Sequence, residues 1–212
     1  MSSTLYFDTE TTDKVVLGVY PICVQLAWAQ GKTLPVKSHI LKTRARISPG
    51  AEKIHGISQQ KMELEGEDPK DVYAAFLEDV RKSTLLVAHN AEFDRNVLMR
   101  SLRHAKVPKE DILMFSLKPV VCTMKVLTPV TRLPHKPNPR RLRAKSKRKS
   151  FKWPRLEEAA RFFGLDFDPE AAHNAGYDVH MLRLVFQAMY RHPDPHLKNL
   201  RKAVKDIKDT PE

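Results

Sequence analysis

Four carboxylates and one histidine, spread over three separated segments, constrain this chain more than any other feature: FDTETT at 7–12, VAHNAEFD at 87–94 and HNAGYD at 173–178. Asp8, Glu10, Asp94 and Asp178 have no comparable set of cations beside them in sequence. A fold that gathers them must draw a counter-charge from elsewhere. Asp8 and Glu10 follow the apolar run Leu5 to Phe7, which reads as a strand, so their side chains leave one face of the pleat and Thr9 leaves the other. Two carboxylates about 5 Å apart repel by roughly 3 kcal/mol at an effective dielectric near 20, and two more acids multiply the pairs. Divalent cations with oxygen ligands remove that cost. Two Mg²⁺ (or Mn²⁺) suit carboxylates plus a substrate phosphate better than zinc does, and the implied chemistry is two-metal hydrolysis of a phosphodiester.

Taken singly, each piece has a plainer reading. A D-x-E at a strand end also fits a solvated edge or a cap. Asp94 and Asp178 also fit first-turn helix acids favoured by the macrodipole, and His173 a surface or capping histidine. The conjunction of all three segments is what points to a metal centre.

In this order and spacing the three segments resemble the motifs of the DnaQ-like, DEDD-type 3′ to 5′ exonucleases. The histidine five residues before the last aspartate is the form of their histidine-bearing subfamily. Ile54-His55-Gly56-Ile57-Ser58 looks like the segment beside the terminal nucleotide, and Trp153 to Leu165 like the helix before the third motif. VAHNAEFDRNVL followed by VCTMKV at 121–126 is most similar to the exodeoxyribonuclease X branch. The resemblance covers residues 4 to 190. It departs at Asp13, where many members have glycine, and in the basic stretch near 132–152.

The resemblance implies an α/β, ribonuclease H-like fold, a central mixed β-sheet flanked by helices, with the first acids on the central strand and Asp94 and Asp178 on converging helices. It implies catalysis by Asp8, Glu10, Asp94, His173 and Asp178, the four acids holding metal. Asp8 would bridge two ions, Glu10 and Asp178 complete the more buried one, and Asp94 hold the second, partly through water. His173 would take the proton of the attacking water, a task for which an imidazole suits. Contacts to the terminal nucleotide are expected from Thr9, Thr11, His55, Asn90 and Phe93, although an aromatic at helical spacing also fits a core position. His89 and Trp28 are expected to be structural.

The net charge of +12 is unevenly placed: Arg132 to Lys152 holds ten Lys or Arg and no acid, which leaves +2 (12 − 10) for the rest. Three prolines followed by RRLRAKSKRKS cannot bury an apolar face, so this insertion is expected to be a mobile loop or to order on a polyanion. Arg140, Arg141, Arg143, Lys147, Arg148 and Lys149 are the candidate phosphate contacts. A solvated loop and a nuclear-localisation signal are the other readings of such a run.

A chain of 212 residues with 42% hydrophobic content can bury a full core, so residues 1–192 are expected to form one exonuclease domain, with 193–212 a charged C-terminal helix or tail. No run reaches membrane-spanning length, and an acid at position 8 leaves no room for a cleaved leader. Cys23 and Cys122 lie in apolar runs and are expected to be buried free thiols, which suits a cytoplasmic setting, or a nuclear one if the basic stretch is an address. Periodicity predicts strands over Pro21–Gln30, Leu34–Leu41, Thr84–His89 and Val120–Val126, and helices over Pro69–Arg81, Glu92–His104, Leu156–Phe163 and Tyr177–Tyr190.

The activity expected is removal of nucleotides from the 3′ end of DNA, single-stranded or 3′-ended, by a monomer or homodimer. An exoribonuclease trimming RNA remains open, as does a proofreading or binding subunit that works with a polymerase.

Overall fold

Alternation along the first segment sets the architecture. In the computed structural model, which describes residues 3–135 and 151–209, that segment is strand β1 (Ser3–Thr11), the middle strand of a five-stranded sheet ordered β3-β2-β1-β4-β5. β2 (Cys23–Gln30) is antiparallel to β1, and β3 (Lys37–Ile40) is antiparallel to β2. β4 (Ser83–Ala88) and β5 (Val120–Cys122) continue the sheet in parallel on the other side. This is a mixed sheet covered on both faces, the ribonuclease H-like arrangement.

Leu5 and Phe7 point to one face, where α3 (Pro69–Arg81), α4 (Ala91–His104) and α5 (Lys109–Leu117) cover them with Phe76, Leu98 and Phe115. Tyr6 points to the other, under α6 (Thr123–Thr131), α7 (Leu156–Phe162), α8 (Ala175–Arg191) and α9 (Pro195–Asp209). Two short helices, α1 (Pro49–His55) and α2 (Gln59–Glu65), close the end of β2 through Ile47, Ala51, Ile57 and Met62. The charged C-terminal helix packs across the domain, burying Leu197, Leu200 and Val204 in the same core as Val179 and Leu182. Among the described residues no helix is long and apolar enough to cross a membrane.

α3 has the bounds its sequence signals: Asp68 accepts from Lys70 N–H, and Pro69 opens the first turn. Its apolar stripe of Val72, Phe76, Leu77 and Val80 is buried, while Ala75 is exposed. The run from Val120 to Val126 is a strand only as far as Cys122. From Thr123 it is helical, because Thr123, Met124, Leu127 and Val130 fall on one face and all are buried. Cys122 is consequently half-buried, while Cys23 is buried as expected, and both are free thiols. α1, α2 and α5 were not foreseen. The first two have seven residues each and are held by Ser48 and Ser58, whose hydroxyls accept from Ala51 and Lys61 N–H.

Trp28 has a structural role, as expected. Its indole N–H donates to Asp79 Oδ2 at 2.8 Å, and Lys37 Nζ reaches the same oxygen at 2.7 Å. Burial opposes ionisation of Asp79, but these two donors outweigh it and hold the carboxyl below its usual range.

Candidate active site

The three motif segments meet at one end of the sheet. Asp8 and Glu10 follow Tyr6 in the alternation and face α8, whereas Thr9 follows Phe7 and faces α4. Thr9 donates its hydroxyl to Asp94 Oδ1 at 2.8 Å, which ties the first acid strand to the second motif. Asn90, with φ of 73°, turns the chain sharply from β4 into α4 and so places Asp94 in that helix's first turn. Asparagine tolerates this left-handed conformation better than most residues.

The third motif is set by α8. Asn174 caps it, accepting from Gly176 and Tyr177 N–H, while His173 takes φ of 62° just before the cap. The His173 backbone N–H donates to Asp178 Oδ2 at 3.2 Å, so the loop and the helix acid are held together. Gln25, which pairs with Glu10 across β1 and β2, accepts from Ala175 N–H at 3.1 Å through Oε1 and donates to Ser38 from Nε2. A Cβ at Gly176 would stand 3.1 Å from Asn174 Oδ1 and 3.2 Å from Ser38, a tight approach that glycine relieves where the helix start lies against β3. Ligand atoms of Glu10, His173 and Asp178 all lie within 4.8 Å of one another.

Burial and mutual repulsion load this cluster. Asp8 is pushed well above the ordinary carboxylate range, first by burial and then by Asp94, Asp178 and Glu10. Glu10 rises to about 9 through burial and the charges of Asp178 and Asp94. Burial lifts Asp94 to about 7 against hydrogen bonds from Thr9 and its backbone, and Asp178 to about 6 against the His173 N–H. Among these donors are only oxygens and one imidazole, and a divalent cation between them would relieve both the repulsion and the desolvation. The residues present therefore fit such an ion.

A model of the Exonuclease family (RNase_T) matches residues 5–186. This chain belongs to that exonuclease family. It is 24% identical over 192 residues to the DNA polymerase III PolC-type of Mycoplasmopsis pulmonis (strain UAB CTIP), covering 88% of this chain and 11% of that one. Among solved structures it is similar to the zinc-bound E. coli exonuclease I–ssDNA complex, with a TM-score of 0.74 and 18% identity over 95% of this chain and 43% of that chain. E. coli exonuclease I with a dA16 oligonucleotide gives a TM-score of 0.71 at 18% identity, again over 95% and 43%. This exonuclease chain thus spans about a ninth of the polymerase relative and under half of the solved chains.

Two hollows flank the acids. One, of about 500 Å³, is lined by Thr9, Glu10, Thr11, Val15, His55 and Phe93. The other, of about 590 Å³, takes in Lys53, Ile54, His55, Glu170, His173 and Tyr177. Ile54 and His55 form the wall between them. The foreseen contacts Thr9, Thr11, His55 and Phe93 therefore gather in one hollow, with Phe93 half-buried and its ring 6.1 Å from that of Tyr20. Their polar groups are largely committed. Thr11 donates to the Asp13 carbonyl, His55 Nε2–H donates to the Thr11 carbonyl, and His55 Nδ1 accepts from Ile57 N–H. That pair of bonds fixes the neutral Nε2–H tautomer, and burial lowers the ring's affinity for a second proton. A substrate hydrogen bond at either nitrogen would have to displace backbone. Asn90 makes no side-chain cap bond.

His89 is structural: Thr123 and the Pro154 carbonyl occupy its two nitrogens, and burial lowers it to about 4. Arg140, Arg141, Arg143, Lys147, Arg148 and Lys149 lie outside the described residues. Gln25 and Gly176 are the positions that sequence reading did not assign. The signal was present in both: a glutamine inside an apolar strand, and a glycine in the first turn of a helix.

Proposed function

We propose that this chain is a divalent-metal-dependent 3′ to 5′ exonuclease acting on DNA. The observation that carries the reading is the convergence of Glu10, His173 and Asp178 within 4.8 Å beside Asp8 and an Asp94 anchored to Thr9. The direction of cutting, and DNA as the favoured substrate, rest on the resemblance of all three motifs to the histidine-bearing subfamily and its exodeoxyribonuclease X branch. The similar fold of exonuclease I, solved with single-stranded DNA, supports them.

Asp8, Glu10, Asp94 and Asp178 would hold two Mg²⁺ or Mn²⁺ ions. When bound, the ions lower the pKa of a coordinated water and neutralise the departing 3′ oxygen. Thr9 and the His173 N–H keep Asp94 and Asp178 turned toward the strand acids. His173, exposed at the rim, takes the proton of the attacking water on its imidazole. The terminal nucleotide occupies the hollow beside Glu10, its base against Phe93 and its sugar near the Ile54–His55 wall. We read residues 1–192 as the catalytic unit, with α9 covering it, and the basic insertion as a phosphate-gripping arm. The free thiols suit a reducing compartment such as the cytoplasm.

A second reading, a proofreading unit that works beside a polymerase, draws on the similarity to the PolC-type polymerase. One experiment addresses both. A 5′-labelled single-stranded DNA and its matched RNA are incubated with the isolated chain in Mg²⁺ and in chelator, with Asp8→Ala as control. A ladder shortening from the 3′ end, metal-dependent and absent in Asp8→Ala, is the expected result, with DNA cut faster. Retardation on a native gel without shortening would favour the partner-dependent reading. His173→Ala should slow cutting ~10²- to 10⁴-fold, the usual share of general acid–base catalysis, with metal binding largely kept. Full activity of this variant would sink the proton-acceptor role.

A further inference from the structure

Of the two tryptophans, Trp28 is 1% exposed and hydrogen-bonded in the core, whereas Trp153 is 59% exposed, and among the described residues no ring contact to it is found. Single exposed apolar residues are common and usually carry no meaning. Trp153 differs because the backbone around it is fastened on every side while its indole is left outside. Lys152 N–H donates to the Leu133 carbonyl at 2.9 Å, and the Lys152 ammonium pairs with Glu158. The Pro154 carbonyl is bound by the His89 ring at 2.9 Å, and Arg155 N–H donates to Glu158 at 2.8 Å.

The position also bears on the site. The last parallel rung between β1 and β4 joins Tyr6 to Val87, and two residues further along the chain stand Asp8, still on β1, and His89, the first residue past β4. Trp153 therefore sits, through Pro154 and His89, on the flank of the strand next to the one bearing the acids, at the same end of the sheet. The Leu133–Lys152 bond joins the segment of exposed Arg132 to the one that carries Trp153 and exposed Arg155. A fixed aromatic among cations beside a strand-processing centre is the combination on which single-stranded nucleic acid stacks its bases.

We propose that Trp153 is a stacking platform for a base of single-stranded nucleic acid upstream of the nucleotide being removed. The inference rests on the nuclease reading for its ligand but not on catalysis. Because Trp28 is buried, quenching of tryptophan fluorescence by added strand reports on Trp153. The test titrates the full chain, carrying Asp8→Ala to prevent cutting, with a ten-nucleotide oligothymidylate in Mg²⁺, following quenching in the parent, and compares Kd with and without Trp153→Ala or Trp153→Phe by the fluorescence anisotropy of a dye-labelled oligonucleotide, since these variants lack the reporting indole.

The expected result is quenching by the oligonucleotide, a Kd weakened roughly 5- to 150-fold by Trp153→Ala from the usual strength of base–aromatic stacking, and largely restored affinity in Trp153→Phe. Thymidine monophosphate, which needs only the terminal hollow, should bind the alanine and parent proteins alike. Absence of quenching together with an unchanged Kd in Trp153→Ala would overturn the proposal. If the parent chain does not cut but quenching and the alanine defect hold, the nuclease reading fails and the stacking site stands. If it cuts and Trp153→Ala binds as the parent does, only the stacking site fails.

Discussion

Two residues away from the acids decide where the acids stand. Gln25 fastens the first N–H of the Asp178 helix to the strand opposite Glu10, and Gly176 eases the close approach of that helix start to Ser38. Groups one step behind a metal ligand typically change metal affinity ~10- to 100-fold when removed. Gln25→Leu should raise the metal concentration for half-maximal cutting by about that factor with KM for DNA little changed, and Gln25→Glu, which keeps an acceptor for Ala175, should recover much of it. A Gln25→Leu enzyme with unchanged metal demand would show that Asp178 finds its place without this bond. That the acids and His173 would be brought together was legible from sequence, because the three segments that carry them resemble one family's motifs in order and spacing. Gln25 stood out only as a glutamine inside an apolar strand, and its role was not legible, since its partner lies 150 residues away and the sequence does not say what the amide reaches.

Elements were legible where their ends are marked. α3 has Asp68 and Pro69 at its start and an apolar stripe, and its bounds follow from those signals. Val120 to Val126 is too short for periodicity to separate strand from helix, and tertiary burial of Met124, Leu127 and Val130 decides for helix. The C-terminal helix could be recognised as a helix, but not where it docks. Because Leu197 is fully buried against α8, Leu197→Ala should cost ~2–5 kcal/mol. In a chain of this size that is a fall of roughly 4–20 °C in melting temperature. A loss below 1 °C would mean that α9 is dispensable to the core. Asp79→Ala should cost about 1–3 kcal/mol, because the Trp28 N–H would be left buried without an acceptor.

Over the whole molecule the acid cluster makes stability depend on pH and metal together. Glu10 at about 9 and Asp94 at about 7 hold protons in the folded chain that the unfolded chain releases near pH 4. The metal-free protein should therefore lose stability as pH rises from about 4 to 9. A divalent ion at a hundred times its Kd should add about 2.7 kcal/mol, or roughly 5–11 °C, at pH 8. The gain should shrink toward pH 5, where protons compete for the same oxygens. Melting curves in Mg²⁺, Mn²⁺ and chelator across this range check the sign, and equal gains at both ends would place the metal elsewhere. Removing residues 140–150 deletes seven cations and should flatten the dependence of DNA affinity on log salt by up to about 0.7 per lost phosphate contact.

The central place of β1 has one more outcome. The strand is paired on both sides up to Tyr6, and beyond it Asp8 and Glu10 stay laddered to Ala27 and Gln25 of β2, so the two acids cannot change their spacing without tearing hydrogen bonds from that strand. Asp94 and Asp178 ride on helices joined to that sheet near the site by single side-chain bonds, from Thr9 and to Gln25. If the four acids hold an ion as proposed, one half of the cage would be an anvil and the other a pair of sprung jaws, and a change of ionic radius, as between Mg²⁺ and Mn²⁺, would be taken up by the helix starts while the strand holds still.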